Sequence, residues 1–254
     1  MISETKIVMT TCYDATFAKI CAQTGVIDYL LVGDTMGMVI YGHENTLSVS
    51  IRQMMEHVGA VKIGVAKAGT KKPPMIIADM PIGTYDNPEQ AVDSAKILVE
   101  AGADMLKVEG PVLDVVAALD GAGYHVCCHI GLTPQTILDY KLQGQTPEEA
   151  TRLFREAKEL EIAGCQLLVL EMIPSALAKQ ITEELQHPTI GIGAGPDTLG
   201  QVLVLYDLLG LDESFKPRFL KHFSQGQRWV EDALVHYAAE VREGKYPSRD
   251  HTFH

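Results

Sequence analysis

The feature of this sequence that most constrains its fold is a regular alternation of short apolar runs with longer amphipathic stretches, from about Lys6 to Tyr206. The apolar runs are rich in β-branched residues and are bounded by Gly, Pro and Asp, which is typical of strands. Between them, apolar residues recur every three or four positions beside charged ones, as in helices. Continuous apolar strands joined by helices predict a parallel sheet that is buried on both faces.

Seven runs are clear and an eighth is weaker: KIVMTTCY, DYLLVGD, PMIIAD, MLKVEG, HVCCHIG, QLLVLEM, PTIGIGAG and, as the weaker one, QVLVLYD. The helices predicted between them cover Ala15 to Gln23, Ser50 to Ala68, Pro88 to Ala101, Val112 to Ala122, Pro147 to Ala163 and Ser175 to Glu184. Eight such units in roughly 200 residues favour the α/β class and a closed (β/α)8 barrel, the TIM barrel, over an open doubly wound sheet.

The chain is predicted to be one domain with a helical tail. At 254 residues, the span 1–254 is long enough for a single (β/α)8 barrel domain. Strand-like runs stop near Gly210, and 212–254 is predicted to be a C-terminal helical extension with helices over Phe215 to Ser224 and Arg228 to Glu243. Because this stretch is too short for its own core, we expect it to pack on the barrel or on a neighbouring subunit.

Composition argues against several classes of function. The net charge of −12, with 21 Lys and Arg scattered among 33 Asp and Glu, disfavours a nucleic-acid partner. A run of about 18 apolar residues and a secretory leader are both missing, so we predict no membrane association. Five cysteines without C-x-x-C spacing suggest buried thiols in a reducing compartment, not disulfides or zinc ligands. The protein is therefore predicted to be cytoplasmic.

Three acidic residues stand at or just past the ends of predicted strands. Asp34 follows YLLVG, Asp79 ends IIAD and Glu109 ends KVE. A single Asp in such a place is equally well explained as a turn or helix cap. In parallel α/β folds, however, ligands bind at the carboxyl ends of the strands. Three oxygen donors there, with no thiolate in the pattern, predict a site for a hard ion such as Mg²⁺.

Other polar residues stand at neighbouring strand ends. Lys107 lies two residues before Glu109, so both side chains face the same side of the strand. The lysine is a structural salt-bridge partner, a cation for a substrate carboxylate, or an amine for Schiff-base chemistry. His129 is a satisfied core histidine or a hydrogen-bond donor to a substrate oxygen. Glu171 ends the apolar run LLVLE, where burial would raise its pKa toward that of a useful general base.

Eight segments, taken in order along the chain, share the motifs of a known enzyme family. They are Thr11–Asp14, Val32–Met38, Gly42–Leu47, Ala78–Pro81, Lys107–Gly110, His129–Gln135, Leu168–Glu171 and Ile190–Gly195. Together they resemble the ketopantoate hydroxymethyltransferase family. The resemblance extends from about Lys6 to the terminal His-Thr-Phe-His and so covers nearly the whole chain.

The resemblance implies a (β/α)8 barrel that assembles as a homodecamer and uses Mg²⁺. It implies transfer of a hydroxymethyl group from 5,10-methylenetetrahydrofolate to 3-methyl-2-oxobutanoate, which gives 2-dehydropantoate for pantothenate and coenzyme A biosynthesis. The partners implied are thus a small 2-oxo acid and a folate. By position, it implies Asp34, Asp79 and Glu109 as metal residues, Asp34, Thr35, Asp79, Lys107 and His129 as substrate-binding residues, and Glu171 as the general base.

The chain departs from the common family pattern at three places. Thr35 replaces a common Ser, which keeps the hydroxyl group, and Cys128 replaces a common Gly before the motif histidine. The loop after Gln135, covering Thr136 to Gly144, is shortened. The loop change bears on how folate contacts the rim of the site.

Alternative functions remain open. Mg²⁺-dependent 2-oxo acid lyases and mutases of the phosphoenolpyruvate mutase/isocitrate lyase group also place carboxylates at strand ends, although their lid cysteine signature is missing here. A Schiff-base aldolase built on Lys107 is a second enzyme class. A barrel kept only as a binding or scaffold protein would be favoured by the loss of a strand-end acid, and none is lost.

Overall fold

The computed structural model describes residues 5–137 and 140–253. Eight parallel strands pair in sequence order, and the last pairs back with the first, so the sheet closes. They are β1 (Ile7–Thr11), β2 (Tyr29–Val32), β3 (Met75–Asp79), β4 (Met105–Glu109), β5 (Val126–Gly131), β6 (Leu167–Glu171), β7 (Thr189–Ile192) and β8 (Gly200–Leu203). Closure confirms the (β/α)8 barrel and rules out the open doubly wound sheet.

The six helices predicted between strands are all present, and short ones add to them. The helices of the described residues are α1 (Ala15–Thr24), α2 (Met36–Val39), α3 (Ile51–Ala68), α4 (Pro88–Ala101), α5 (Leu113–Gly121), α6 (Pro147–Ala163), α7 (Ser175–Glu184), α8 (Leu205–Leu209) and α9 (Gly226–Arg242), with a 3₁₀ turn at Arg249–His251. Within residues 5–137 and 140–253, no helix has both the length and the apolar character needed to cross a membrane.

The chain divides into two compact units, Met1–Val204 and Leu205–His254. The first contains the whole barrel, and the second contains α8 and α9. The helix predicted over Arg228 to Glu243 is confirmed as α9. That the tail packs on the barrel or on a neighbouring subunit stays a prediction, and so does its start at residue 212. Leu138 and Asp139, inside the shortened loop, lie outside the described residues.

Two predictions in the second half of the chain need correction. The helix over Phe215 to Ser224 is wrong, because Pro217 has no amide hydrogen and disfavours helical backbone at the residue before it. Phe223 N instead donates to the carbonyl oxygen of Leu208 at 2.8 Å. The weaker strand prediction, QVLVLYD, holds only for its first part, since the backbone becomes helical at Leu205.

Two helices follow a capping side chain and a proline in the sequence, Asn87-Pro88 and Thr146-Pro147, a pattern that predicts a helix start, and both starts form. Asn87 Oδ1 accepts from Gln90 N at 3.0 Å ahead of α4. Thr146 Oγ1 accepts from Glu149 N at 3.2 Å ahead of α6, and the Glu149 carboxylate accepts from Thr146 N in return. Such caps stabilise a helix by about 1 kcal/mol each. They also fix the far ends of the loops that follow β3 and β5 at the barrel mouth.

Apolar side chains from alternate strand positions fill the barrel interior. They are Met9, Leu31, Ile77, Met105, Cys127, Leu167, Val169, Ile190 and Val202. Since side chains two residues apart on a strand face the same way, the next inward positions toward the carboxyl ends are also interior. Those positions hold Asp79, Lys107, His129 and Glu171. The same alternation that builds the core therefore carries the predicted site residues to its mouth.

All five cysteines are free and buried, as predicted from their number and spacing. Cys128 stands between the inward-facing Cys127 and His129, so its own side chain faces outward toward the helices. This departure from the family pattern therefore does not reach the barrel interior.

Candidate active site

Strand register places four of the predicted site residues side by side at the carboxyl-terminal mouth. Asp79 is aligned with Lys107 between β3 and β4, and Glu109 with His129 between β4 and β5. All four are buried. Glu171 ends β6, and its side chain keeps 16% of its surface exposed. Charged residues are rarely buried unless paired, so this cluster needs both a structural and a functional explanation.

Lys107 is the central cation of the cluster. Its Nζ lies 2.7 Å from Asp79 Oδ1 and 3.5 Å from Glu109 Oε1. Burial alone would lower the pKa of Lys107, but the charges of Asp79, Glu109 and Asp34 outweigh burial and raise that pKa well above its usual value. The side chain is therefore a charged ammonium group held between two carboxylates.

Asp34 enters the cluster from the loop after β2. Its backbone N donates to Asp79 Oδ2 at 2.9 Å, and its side chain is buried. The pKa of Asp34 is raised well above its usual value, first by burial and then by the charges of Asp79 and Glu109. The Asp34 side of the cluster is thus short of positive charge.

His129 lies between two carboxylates. Its Nδ1 is 3.2 Å from Glu109 Oε1, and its Nε2 is 3.2 Å from Glu171 Oε2, although the second contact is not aligned as a hydrogen bond. Burial would lower the pKa of His129, but Glu109 reverses this and raises it to about 9. Burial would likewise raise the pKa of Glu109, yet Lys107 and His129 bring it down to about 2. At neutral pH the pair is an imidazolium and a carboxylate.

Thr35 stands at the mouth immediately before α2. Its Oγ1 lies 2.7 Å from the hydroxyl of Tyr13, and either atom can be the donor. A Cβ at Gly33 would lie only 3.0 Å from Thr35 Oγ1, so the glycine leaves room for the hydroxyl. The threonine therefore keeps the hydrogen-bonding group of the common serine at the place where the family pattern expects it.

Two further members of the cluster, Gln135 and Tyr85, carry no predicted role. Gln135 Nε2 donates to Asp34 Oδ2 at 2.9 Å and to Met80 O at 3.0 Å, while its backbone N donates to Glu109 Oε2 at 3.0 Å. The Tyr85 hydroxyl donates to Gln135 Oε1. Gln135 closes a family motif, which is a signal for its importance. Tyr85 lies in a loop rich in turn-forming residues, and no sequence motif there signals a role in the site.

The cluster lines one small cavity of about 60 Å³. Every side chain predicted for the site lines it: Asp34, Thr35, Asp79, Lys107, Glu109, His129 and Glu171. Apolar residues such as Leu31, Val169 and Val202 complete the lining. A larger cavity of about 390 Å³ lies at the opposite end of the barrel beside Lys62 and Asp104, and none of the seven residues lines it. The seven side chains predicted for the site therefore lie at the smaller cavity.

The oxygen donors of this cavity suit a hard divalent cation that is shared with a ligand. Within the described ranges, 5–137 and 140–253, no three His, Cys, Asp or Glu side chains are arranged to hold an ion by themselves. Mg²⁺ commonly takes one or two protein carboxylates and completes its shell with waters or substrate oxygens. Asp34 and Asp79 are adjacent carboxylates, and a cation there would relieve the charge repulsion that raises the pKa of Asp34. The residues fit Mg²⁺ on these terms.

A closed parallel barrel with acids, a lysine and a histidine buried at its carboxyl-terminal mouth defines a (β/α)8 enzyme. The fold is similar to that of 2,3-dimethylmalate lyase, a PEP mutase/isocitrate lyase superfamily member, with TM-score 0.60 and 14% identity over 98% of this chain and 87% of that one. It is also similar to phosphonopyruvate hydrolase in complex with oxalate and Mg²⁺, with TM-score 0.64 and 13% identity over 97% and 88%. At such identities the likeness shows the fold alone.

Sequence comparison goes further than the fold. The family model for ketopantoate hydroxymethyltransferase matches residues 1–249. The 3-methyl-2-oxobutanoate hydroxymethyltransferase of Shewanella frigidimarina is 46% identical over 248 residues, which cover 96% of this chain and 91% of the relative. The enzyme of the same name from Thiobacillus denitrificans is 46% identical over 254 residues, which cover 98% and 94%. The chain belongs to the ketopantoate hydroxymethyltransferase family.

Proposed function

We propose that this protein transfers a hydroxymethyl group from 5,10-methylenetetrahydrofolate to 3-methyl-2-oxobutanoate and so forms 2-dehydropantoate. Family membership supports the reaction, since relatives of 46% identity carry the name of that activity. The single structural observation in its favour is that all seven predicted site residues line one cavity at the barrel mouth. An anionic 2-oxo acid needs cations there, and the cavity supplies an ammonium and an imidazolium group.

Asp34 and Asp79 would hold Mg²⁺, with Glu109 beside them as the third acid of the predicted set. Asp79 is already fixed by Lys107 and by the Asp34 amide, so its carboxylate has a defined direction. When bound, the ion would polarise the keto group of the substrate. Asp34 follows β2 and Asp79 ends β3, and these two strands are paired neighbours in the barrel.

The cations of the cluster would bind the keto acid. The Lys107 ammonium group faces the cavity and is held by two carboxylates, so it can attract the substrate carboxylate without losing its position. The His129 imidazolium can donate to a substrate oxygen through Nε2, whose contact with Glu171 is not an aligned hydrogen bond. Thr35 adds a hydroxyl group at the same rim. These contacts would orient C3 of the keto acid.

Glu171 would act as the general base. It is the most exposed of the cluster's carboxylates, so substrate can reach it, and its Oε2 lies 3.2 Å from the positively charged His129 ring at Nε2. The carboxylate would take the C3 proton, and the electron pair left at C3 would form the new bond to the methylene carbon supplied by the folate. The bonds from that carbon to the two folate nitrogens would break, water would supply the hydroxyl oxygen, and the C3 proton and one water proton would leave on tetrahydrofolate.

The structure weighs against a Schiff-base aldolase. Such an enzyme needs a neutral amine, and enzymes obtain it by lowering the pKa of a lysine. The pKa of Lys107 moves in the opposite direction, because burial is outweighed by three nearby carboxylates. The homodecamer and the cytoplasmic location stay predictions of the family resemblance and of composition.

A direct assay tests the proposal. Purified protein, stripped with EDTA, would be supplied with 3-methyl-2-oxobutanoate and 5,10-methylenetetrahydrofolate with and without Mg²⁺, and 2-dehydropantoate would be measured by mass spectrometry. We expect product only with the metal. Phosphonopyruvate in a parallel reaction tests the lyase or mutase alternative, and turnover of that compound with no 2-dehydropantoate would contradict the proposal.

A further inference from the structure

Both polar atoms of the Gln135 side chain, and its backbone N–H group, make hydrogen bonds inside the cluster. The residue is 3% exposed. Nε2 donates to Asp34 Oδ2 and to Met80 O, at 2.9 and 3.0 Å, and the backbone N donates to Glu109 Oε2 at 3.0 Å. Oε1 accepts from the Tyr85 hydroxyl. One residue thus links two of the acids that the family resemblance gives to the metal.

We propose that Gln135 and Tyr85 are positioning residues for the metal site. Gln135 holds one oxygen of Asp34 and one of Glu109, and Tyr85 reinforces the orientation of the Gln135 amide by donating to its Oε1. This inference rests on the proposed function, because it concerns the Mg²⁺ that the reaction would use. Neither residue would touch the substrate's reacting carbon.

Tyr85 supports one orientation of the Gln135 side-chain amide through the direction of its hydrogen bonds. A glutamine amide has a donor end and an acceptor end of nearly the same shape. Turned over, Gln135 would place Oε1 against the Asp34 carboxylate and the Met80 carbonyl, which are both acceptors. The tyrosine hydroxyl accepts from Glu109 N at 3.4 Å, so its own proton is directed to Gln135 Oε1. The amide is therefore fixed with its NH₂ group toward Asp34.

The placement of the two residues in the fold supports the role. Gln135 lies on the loop after β5 and Tyr85 on the loop after β3, whereas Asp34 follows β2. The chain of hydrogen bonds therefore joins three separate loops of the mouth. A carboxylate held at one oxygen loses less rotamer freedom when the other oxygen binds an ion, so pre-orientation favours binding.

Manganese binding gives a readout that does not depend on turnover. Free Mn²⁺ would be followed by electron paramagnetic resonance during titration of the full chain, for the natural protein, Gln135→Met, Tyr85→Phe and the double variant. Loss of a hydrogen bond to a charged group predicts that the Kd for Mn²⁺ rises roughly 10-fold in Gln135→Met. Tyr85→Phe should raise it about 3-fold, since Gln135 Oε1 then loses its donor and the amide is held less firmly against Asp34. The double variant should match Gln135→Met alone, because Tyr85 acts through Gln135.

Two control variants at the other end of the barrel isolate the effect. Gln166 also bridges a backbone amide and a carboxylate: Oε1 accepts from Val126 N at 3.1 Å, and Nε2 donates to Asp120 Oδ1 at 3.1 Å. Tyr124 lies in the turn just before β5, at the same end of the barrel. Gln166→Met and Tyr124→Phe should leave the Kd for Mn²⁺ unchanged, even if Gln166→Met lowers Tm. Urea unfolding of each variant checks that it is folded at the assay temperature.

The outcomes separate the two proposals. If the natural protein neither binds Mn²⁺ nor forms 2-dehydropantoate, the proposed function fails and this inference fails with it. If the natural protein does both and Gln135→Met binds Mn²⁺ equally well, only the positioning role is overturned. If the two substitutions multiply in the double variant, Tyr85 does not act through Gln135. Tyr85→Phe keeps its ring, so it tests the role even if Gln135→Met does not fold.

Discussion

The two ends of the barrel use the same residue types in opposite environments. At the carboxyl-terminal mouth, Lys107 Nζ lies 2.7 Å from Asp79 Oδ1, and the side chains are 5% and 4% exposed. At the amino-terminal end, Lys62 Nζ lies 3.4 Å from Asp104 Oδ1, and the side chains are 49% and 36% exposed. In both pairs the second aspartate oxygen accepts from a backbone amide, at 2.9 and 2.8 Å respectively.

The contrast shows what burial does to an otherwise similar ion pair. An exposed pair contributes about 0–1 kcal/mol, because water and salt screen it. A buried pair loses the hydration of both charges, so it is a poor device for stability, yet breaking it leaves an unpaired buried charge. The amino-terminal pair is therefore part of a solvated surface. The carboxyl-terminal pair belongs to the buried charged cluster of the candidate active site.

The largest contrast between the two ends should come from their Glu–His pairs. Glu171→Gln should lower kcat about 10²–10⁴-fold through loss of the base. Glu161 Oε1 lies 3.9 Å from His187 Nε2 at the other end of the barrel, so Glu161→Gln is the matched control. Steady-state assays of 2-dehydropantoate formation should show kcat unchanged in the control. Equal losses in both variants would contradict the assignment of the base.

The lysines offer the next contrast. Lys107→Met should lower kcat/KM about 10²–10³-fold, as expected for loss of a preorganised charge. It should also lower the free energy of unfolding by on the order of 3–5 kcal/mol, because buried carboxylates lose their cation. Lys62→Met should change that free energy by less than about 1 kcal/mol. Urea unfolding and activity assays measure both, and similar stabilities for the two variants would remove the contrast.

The stabilisation of the protein by metal should depend on Asp79 at the mouth and not on Asp104 at the opposite end. Mg²⁺ at 100 times its Kd should raise the free energy of unfolding of the natural protein by about 2.7 kcal/mol. Asp79→Asn should lose most of this increment, whereas Asp104→Asn should keep it. Thermal unfolding with EDTA or Mg²⁺ provides the measurement. A metal increment that survives Asp79→Asn would place the ion elsewhere.

The smallest effect belongs to the exposed pair. In the natural protein, Asp104 Oδ2 accepts a hydrogen bond from Ile76 N at 2.8 Å. Asp104→Asn retains a side-chain oxygen that can accept this bond. Only the screened contact with Lys62 is lost, so the free energy of unfolding should fall by less than about 1 kcal/mol. Activity should be that of the natural protein. A large loss of either would show that the amino-terminal end is more than a solvated surface.

Much of the fold could be predicted because its signals are local. Apolar strand runs and helix caps such as Asn87 and Thr146 depend on neighbours a few residues away, and both are confirmed. The helix predicted over Phe215 to Ser224 is wrong because its apolar spacing is that of a helix, while Pro217 within it disfavours helical backbone. The short α2 is not predictable, since a four-residue helix has too little periodicity.

Site residues could be predicted from the sequence only where they lie on strands or just past their ends, because the alternation of a strand determines the direction of each side chain. Lys107 and Glu109 share an inward face because they are two positions apart on one strand, and the structure places both at the cavity. Tyr85 and Gln135 reach the cluster from loops, whose paths no local pattern specifies. Their contacts depend on loop closure and on the packing of strands distant in sequence. Only the folded barrel brings these two residues to the cluster.

Proton exchange at C3 of the keto acid tests the central claim most directly, because it requires the cavity and the base but no folate. In D₂O with Mg²⁺, the natural protein should replace the C3 proton of 3-methyl-2-oxobutanoate with deuterium, seen by proton NMR. Glu171→Gln should lose this exchange, while Glu161→Gln should retain it. Exchange that persists in Glu171→Gln, or that proceeds equally well in EDTA, would contradict the account of a metal-assisted general base at the barrel mouth.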